Sequence, residues 1–393
     1  APAHTAKRSL RVAGGGTARM MSPLSAYVKR QPITLFEQTT VLELFKDNGQ
    51  ITGALAVTDG KCMFLNVKSA VLATGGAGRI YPLTSNMAES TGDGYAMALR
   101  LGLALTGMEF VQFTPTALAY PKELEGISTG GVLLGLEGTR LWNKNNERFM
   151  ERYDAERKEA STRAILSRAL QVEVVEGRAS PHGGVYLDLT RNDPDVLLRL
   201  AAPFMKKLEP FGIDIRKQPI EIAPAVHYFM GGVEINALTE TALPGLYAAG
   251  EVTGGVQGSN RLSSNSLTDV AVFGAIAGRE AAAYAKARKA SASWRTLEPA
   301  AHGVLKARLK HDALPVSKPL TAMHAELKRI MFAAGGLVRD ARAMRQGLRE
   351  LGALRKQHAA LGRVRHTDLR QHHEVRSMLD TGEAVRLVTA LVR

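Results

Sequence analysis

Two stretches of this 393-residue sequence close an apolar run on small residues: AVLATGG, which ends at Gly75 and Gly76, and GLYAAGEVTGG, which carries Glu251 directly after Gly250. A strand ending in glycine lets backbone approach a ligand closely, because no Cβ stands in the way. A third stretch, SSNSLTDVAVFGAIAGREAAAYAKA, opens with Asn265 and Ser266 as capping residues and continues rich in Ala and Gly. That is the composition of a helix packed close to a sheet, and the start of a helix offers free N–H groups and partial positive charge. Two glycine-ended strands and one such helix make a cradle for the anionic part of a cofactor. Cysteine-ligated metal is excluded: Cys62 is the sole cysteine, it has no CxxC partner, and KCMFLNV reads as a strand carrying a packed thiol.

The elements that must position this cradle follow from periodicity. Residues 32–76 alternate short apolar runs (ITLFEQTTVLELF, ITGALAVT, CMFLNV, AVLATGG) with DNGQ and DGK turns, the pattern of an antiparallel meander. STGDGYAMALRLG predicts a short buried helix capped by Ser90, Thr91 and Asp93 and stopped at Gly102. Between about Pro121 and Pro219 charged helical stretches such as ERKEASTRAILSRALQVEVVEG precede a strand, VYLDLT, and a separate inserted domain is expected there. Residues 296–318 read as a connector, and residues 319–393 as periodic helix throughout.

The length calls for two or three domains. With 45% hydrophobic and 22% charged residues the composition is that of a globular chain. No run reaches the roughly 18 apolar residues of a membrane span, and the opening APAHTAKRSLRV lacks the apolar core of a signal peptide, so a soluble, cytoplasmic chain is expected. The net charge of +14 is concentrated after about Lys286, in KARKASASWR, LKARLKH and LRKQHAALGRVRH. These segments lack interleaved aromatics for base stacking, which argues for a solvated basic face and against a nucleic-acid groove.

In this order, AVLATGGAG, STGDG, EFVQFTPTAL, PAVHYFMGGVE, GLYAAGEV and GSNRLSSNSL resemble the motifs of the succinate dehydrogenase, fumarate reductase and L-aspartate oxidase flavoproteins, over nearly the whole chain. The resemblance implies an α/β fold: a partial Rossmann-like FAD-binding domain (residues 1–118 and 221–295), an inserted α+β capping domain (119–220) and a C-terminal helical domain (296–393). It implies FAD as cofactor, contacted by Gly75, Gly76, Asp93, Glu251, Ser266 and Leu267. It also implies hydride transfer between FAD and a small carboxylate, with His227 and Arg261 binding the carboxylate and an arginine of the capping domain passing the proton. Register places that arginine at Arg163, with Arg168 as runner-up. An iron–sulfur or other electron-transfer subunit is implied as partner, through which the chain would reach a membrane it does not span.

Three departures qualify this picture. Thr114 stands where the family has a histidine, and Gly130, after Thr129, stands where it has a glutamate; Glu137 lies too far along to replace it. Both changes fall on one side of the implied substrate pocket and predict an altered substrate. The GxGxxG fingerprint of the first strand is missing as well, because AGGGTARM has the wrong spacing and reads as a loop leading into a helix. Without that turn the pyrophosphate loses its main helix N-terminus, so FAD binding by this chain alone is expected to be weak. The competing expectation is an incomplete or catalytically silent family member, acting as a structural subunit or completed by a separate N-terminal FAD-binding fragment.

Overall fold

In a computed structural model, which describes residues 18–59, 61–288, 294–308, 317–362, 364–365 and 368–391, the chain begins with α1 (Ala18–Lys29). The glycine cluster at 14–16, read as a loop before a helix, lies outside the described residues. The meander follows: β1 (Thr39–Asp47), β2 (Gln50–Thr58) and β3 (Lys61–Asn66) pair antiparallel in that order. Asn48 (φ 47°) and Gly49 (φ 73°) make the first turn, and both take the left-handed backbone that a two-residue hairpin requires of its central pair. The apolar run before β1 is not part of the sheet: Ile33, Leu35 and Phe36 are exposed, since alternation makes a strand only where a partner strand accepts it.

The segment β4 (Ala70–Leu72) leaves the meander altogether. After it come α2 (Asp93–Arg100), β5 (Leu105–Thr106), β6 (Val111–Leu118), β7 (Arg140–Trp142), α3 (Met150–Tyr153), α4 (Arg163–Val175), β8 (Val185–Asp188), α5 (Pro194–Leu208) and β9 (Ile220–Phe229). The expected caps of α2 are not used: Gly92, at φ 84°, is its N-cap residue, and Thr91 donates its hydroxyl to the Glu89 carbonyl. Strands β6, β9, β8 and β7 form, in that order, one antiparallel sheet. A hydrophobic cluster running from Leu118 to Ile222 fills this sheet and α3–α5.

The chain closes with β10 (Gly232–Val233), β11 (Leu246–Ala248), α6 (Asn265–Ala287), α7 (Trp294–Arg308), α8 (Ser317–Gly335), α9 (Ala341–Ala360) and α10 (Leu369–Leu391). Strand β11 pairs in parallel with β4, Ala70 opposite Leu246, so the two glycine-ended runs lie side by side with their carboxyl ends together. Most of the expected connector is helix: α7 buries Ala301 and packs Val304 on the main core, and residues 309–316 lie outside the described set. That core joins the meander, α2 and α8–α10. Tyr81 sits in it, edge-on to Phe113 and hydrogen-bonded through its hydroxyl to the Gly335 carbonyl at 2.9 Å.

One polar knot ties the second core together. Glu173, fully buried on α4, accepts from Arg178 Nε (2.7 Å), Arg152 Nη2 (2.9 Å), Tyr153 Oη (2.7 Å) and Asn143 Nδ2 (2.8 Å). Burial alone would raise its carboxyl, but these donors outweigh burial and hold it at about 2, below the ordinary 4.5. A depressed carboxyl stabilises the fold above its ordinary value and loses that contribution as pH falls toward the folded value. Glu173→Gln should therefore cost about 2 kcal/mol at neutral pH, and the difference from wild type should shrink between pH 4.5 and 2, read by chemical denaturation across that range.

Candidate functional site

The cradle forms where β4 and β11 end. Ligands of parallel sheets bind at the carboxyl ends of the strands, and Gly75, Gly76 and Glu251 stand there. Gly75 takes φ 71° with open space where a side chain would be. At Gly76 a Cβ would lie 2.1 Å from Glu251 Oε1, so only glycine lets the carboxylate occupy this place. Glu251 Oε1 accepts from the Phe229 N–H at 2.9 Å, and its backbone carbonyl accepts from Tyr95 Oη at 2.8 Å. Burial pushes its carboxyl up to about 7. The residue before α6, Ser264, is left-handed at φ 70° and makes no side-chain cap. Asn265 and Ser266, expected as caps, are the first helical residues instead; the Asn265 N–H donates to the Leu262 carbonyl at 3.2 Å, and no side chain caps the N–H groups that follow.

The donor set fits a flavin nucleotide. Gly75 offers unobstructed backbone, Glu251 an acceptor for sugar hydroxyls, and the uncapped start of α6 a positive helix end. Asp93, on the helix start that packs Gly94 against Thr74 and Val252, has its carboxylate 3.5 Å from His373 Nε2 of α10 and is pushed up to about 6 by burial. Leu267 is exposed on the first turn of α6.

A second group of residues gathers over the four-stranded sheet. Arg163, at the start of α4 behind its N-cap Thr162, donates through Nη1 to Gln112 Oε1 at 2.7 Å. Arg261 donates through Nη2 to the same oxygen at 3.0 Å. The amide is held in that orientation because its nitrogen donates to Asn260 Oδ1 (2.6 Å) and to the Arg261 carbonyl (2.8 Å). Arg261 also stacks on the Tyr228 ring, 4.6 Å from its centroid, and approaches Ser266 Oγ at 3.5 Å. Tyr228 in turn reaches Asp269 Oδ2 on α6 at 3.4 Å. Arg261 is 6% exposed and its buried Nε has no partner. Burial lowers both guanidinium groups, and Arg163, pressed further by Arg261, falls to about 10.

His227 joins them through a defect in the strand. Gln112 pairs with Tyr228 and Phe113 with Val226, which leaves His227 as the extra residue of a β-bulge, a device that re-aims a side chain. Its Nδ1 meets Ser85 Oγ at 2.7 Å, and Asn86 Nδ2 donates to its carbonyl at 3.0 Å, leaving Nε2 for a ligand. Burial, then Arg261 and Arg163, push the imidazole down to about 3. Buried and beside two guanidiniums, the ring is neutral at pH 7.

The remaining wall is made of hydroxyls. Thr114 Oγ1 lies 3.4 Å from Thr116 Oγ1, which lies 3.1 Å from Ser128 Oγ. Thr129 is 7% exposed and its Oγ1 has no partner. Gly130, at φ 87°, has open space at its Cβ position. Of the candidates named from sequence, Arg163, His227 and Arg261 are brought together, with Thr114 along the same strand as Gln112. Arg168 points outward and is exposed. Sequence reasoning missed Gln112, although strand alternation places it on the face of Thr114. It also missed Ser85 and Asn86, whose irregular loop carries no periodic signal.

A family model described as FAD binding domain matches residues 2–267. A Methanothermobacter marburgensis protein named as a fumarate reductase (CoM/CoB) subunit is 41% identical over 265 residues, 67% of this chain and 48% of its own length. L-aspartate oxidase of Caulobacter vibrioides is 40% identical over 285 residues, covering 72% of this chain and 54% of its own. The chain thus spans about half the length of these curated relatives. Among solved structures, an Escherichia coli quinol fumarate reductase variant superposes with a TM-score of 0.83 at 30% identity, over 94% of this chain and 66% of that one. Mycobacterium smegmatis Sdh1 does so with a TM-score of 0.79 at 34% identity, over 94% and 63%.

The contact between Gly76 and Glu251 makes one substitution decisive. Gly76→Ala should displace the Glu251 carboxylate and weaken FAD binding by at least about tenfold, which is about 1.4 kcal/mol. Glu251→Gln, which keeps shape and acceptor, should lose less. Flavin absorbance retained on gel filtration with excess FAD, together with the melting temperature of each variant, checks both.

Proposed function

Since the chain belongs to the FAD-binding flavoprotein family of fumarate reductase, succinate dehydrogenase and L-aspartate oxidase, with FAD as cofactor, we propose that it is the catalytic part of an oxidoreductase acting on a small carboxylate. One observation carries this reading: two guanidiniums, Arg261 buried and Arg163 half-buried, converge on a single neutral oxygen, with no carboxylate partner among the described residues. Burying unpaired charge costs several kcal/mol, and a substrate carboxylate offsets that cost. Arg261, clamped by Tyr228 and Gln112, presents the planar fork that matches a carboxylate, and His227 adds a neutral donor or acceptor through Nε2.

FAD, when bound, supplies two-electron hydride chemistry. Gly75, Gly76, Glu251, Ser266 and Leu267 are the residues we assign to holding it, with Asp93 at the adjoining end of α2. In the reducing direction the substrate double bond gains hydride on one carbon and a proton on its neighbour. Arg163 holds that proton at Nη. Burial and the neighbouring Arg261 have already lowered its guanidinium to about 10, which eases release toward a basic developing carbanion. The proton returns to Arg163 from solvent; in the oxidising direction each transfer reverses.

We assign residues 119–220 to a cap carrying Arg163 over the cradle, residues 1–118 and 221–295 to the cofactor-binding part, and residues 296–393 to a helical domain. Electrons pass to or from a partner, because a chain with one cysteine cannot ligate an iron–sulfur cluster through thiolates. Among the described residues no helix is long and apolar enough to cross a membrane, so contact with a membrane would run through that partner. A second reading, completion of the FAD site by a further polypeptide segment, is favoured by β4: Val71 is 40% exposed on a parallel pair that is two-stranded among the described residues, and parallel strands are normally covered on both faces.

The test is the flavin spectrum of the purified chain with FAD, followed by anaerobic reduction and reoxidation with small carboxylates. Arg163→Gln should lower the rate of flavin reoxidation by about 10²–10⁴, the range for loss of a general acid, and weaken carboxylate binding less than the loss of Arg261 does. Arg261→Gln should mainly weaken carboxylate binding. Equal loss of binding in both variants would assign Arg163 to the clamp and remove it from proton transfer.

A further inference from the structure

We propose that the substrate of this site carries one anionic group only, with a neutral, oxygen-bearing end lodged against Thr114, Thr116, Ser128 and Thr129. This rests on the carboxylate reading above and names the class of carboxylate. The cations do not form two separate anion sites: Arg163 and Arg261 both reach Gln112 Oε1, at 2.7 and 3.0 Å, so their charges fall on one spot. Two residues along β6, about 7 Å away, comes Thr114, and from there the wall is hydroxyl: Thr114, Thr116 and Ser128 in a chain, with Thr129 joined to the Thr116 carbonyl through its backbone N–H at 2.9 Å.

Among the described residues no cationic side chain is hydrogen-bonded to Thr114, Thr116, Ser128 or Thr129. The cations acting on His227, midway in the site, are Arg261 and Arg163 alone. Thr114 and Thr129 are 4% and 7% exposed, so a second carboxylate placed there would leave water for neutral donors only. An ionised carboxylate without a counter-charge is expensive to bury. A carbonyl, ester or hydroxyl oxygen has no such demand. Thr129 Oγ1 is a buried donor without a partner, which is the group such an oxygen would satisfy. Beyond it, Gly130 and Gly131 have open space at their Cβ positions, so the neutral end can be longer than that of a four-carbon acid.

The full chain, purified with excess FAD, is titrated calorimetrically with fumarate, its monomethyl ester and crotonate. The ester keeps the length and double bond of fumarate and removes one charge. It should bind about tenfold more tightly than fumarate, and Arg261→Gln should abolish both. Thr129→Val, which keeps the shape of threonine, should weaken the ester several-fold and leave crotonate, which has no oxygen at that end, unchanged. Thr114→His should raise fumarate affinity at pH 5.5 and lower that of the ester; the wild-type series decides the question if this variant does not fold. Fumarate binding as tightly as the ester or more so, in an Arg261-dependent way, overturns the single-charge assignment and leaves the carboxylate site standing. No binding of any of the three, or binding indifferent to Arg261→Gln, overturns the carboxylate reading and this inference with it.

Discussion

Two guanidiniums held on one amide oxygen set the terms for the rest of the site. Like charges at such short range repel, and burial removes the water that would screen them. The surrounding atoms are arranged to hold the pair without neutralising it. Gln112 gives its carbonyl to both and anchors its nitrogen on Asn260 and the Arg261 carbonyl, and the Tyr228 ring takes the face of Arg261. The carboxyl acting on Arg261, Glu251, is bonded to the Phe229 N–H and pushed up to about 7 by burial. The positive potential is therefore left for a ligand.

The same contacts bind the substrate side to the cofactor side. Phe229 and Tyr228 follow His227 on β9; Phe229 holds Glu251 at the end of β11, and Tyr228 reaches Asp269 on α6. A shift of β9 relative to the cradle would move His227, the perch of Arg261 and the Glu251 carboxylate together. The bulge at His227 belongs to this coupling. It breaks the β6–β9 register at the point where a ring nitrogen has to face the site, and the Leu83–Asn86 loop takes up the freed backbone, with Val226 bonded to Leu83 and Ser85.

Legibility in the sequence follows the range of the interactions involved. The meander was readable because Asn48 and Gly49 carry a local turn signal, and the two glycine-ended runs because small residues at a strand end have few other uses. Their parallel pairing was not readable from periodicity, since β4 and β11 are only three residues each and lie far apart in the chain. Asn265 and Ser266 have the right chemistry for caps, yet the left-handed Ser264 starts the helix one residue earlier than capping preference suggests. Arg163, His227 and Arg261 were named by motif resemblance. Gln112, which joins two of them, is an unremarkable polar residue in a strand until the fold brings Arg163 and Arg261 to the same amide oxygen.

The neutrality of His227 and the hydroxyl wall are consequences of one arrangement. Burial, and then the two guanidiniums beside it, hold the imidazole at about 3, so the positive charge acting on His227 belongs to the arginines. A binding site graded in this way orients its ligand before any chemistry: the charged end is drawn to Arg261, and the neutral end is left to Thr114 and Thr129. Orientation is also what a proton donor fixed at the N-terminus of α4 requires, because Arg163 is aimed by Thr162 and Gln112 and can serve only the carbon brought in front of it. Position of charge thus decides which substrates fit and which carbon receives the proton.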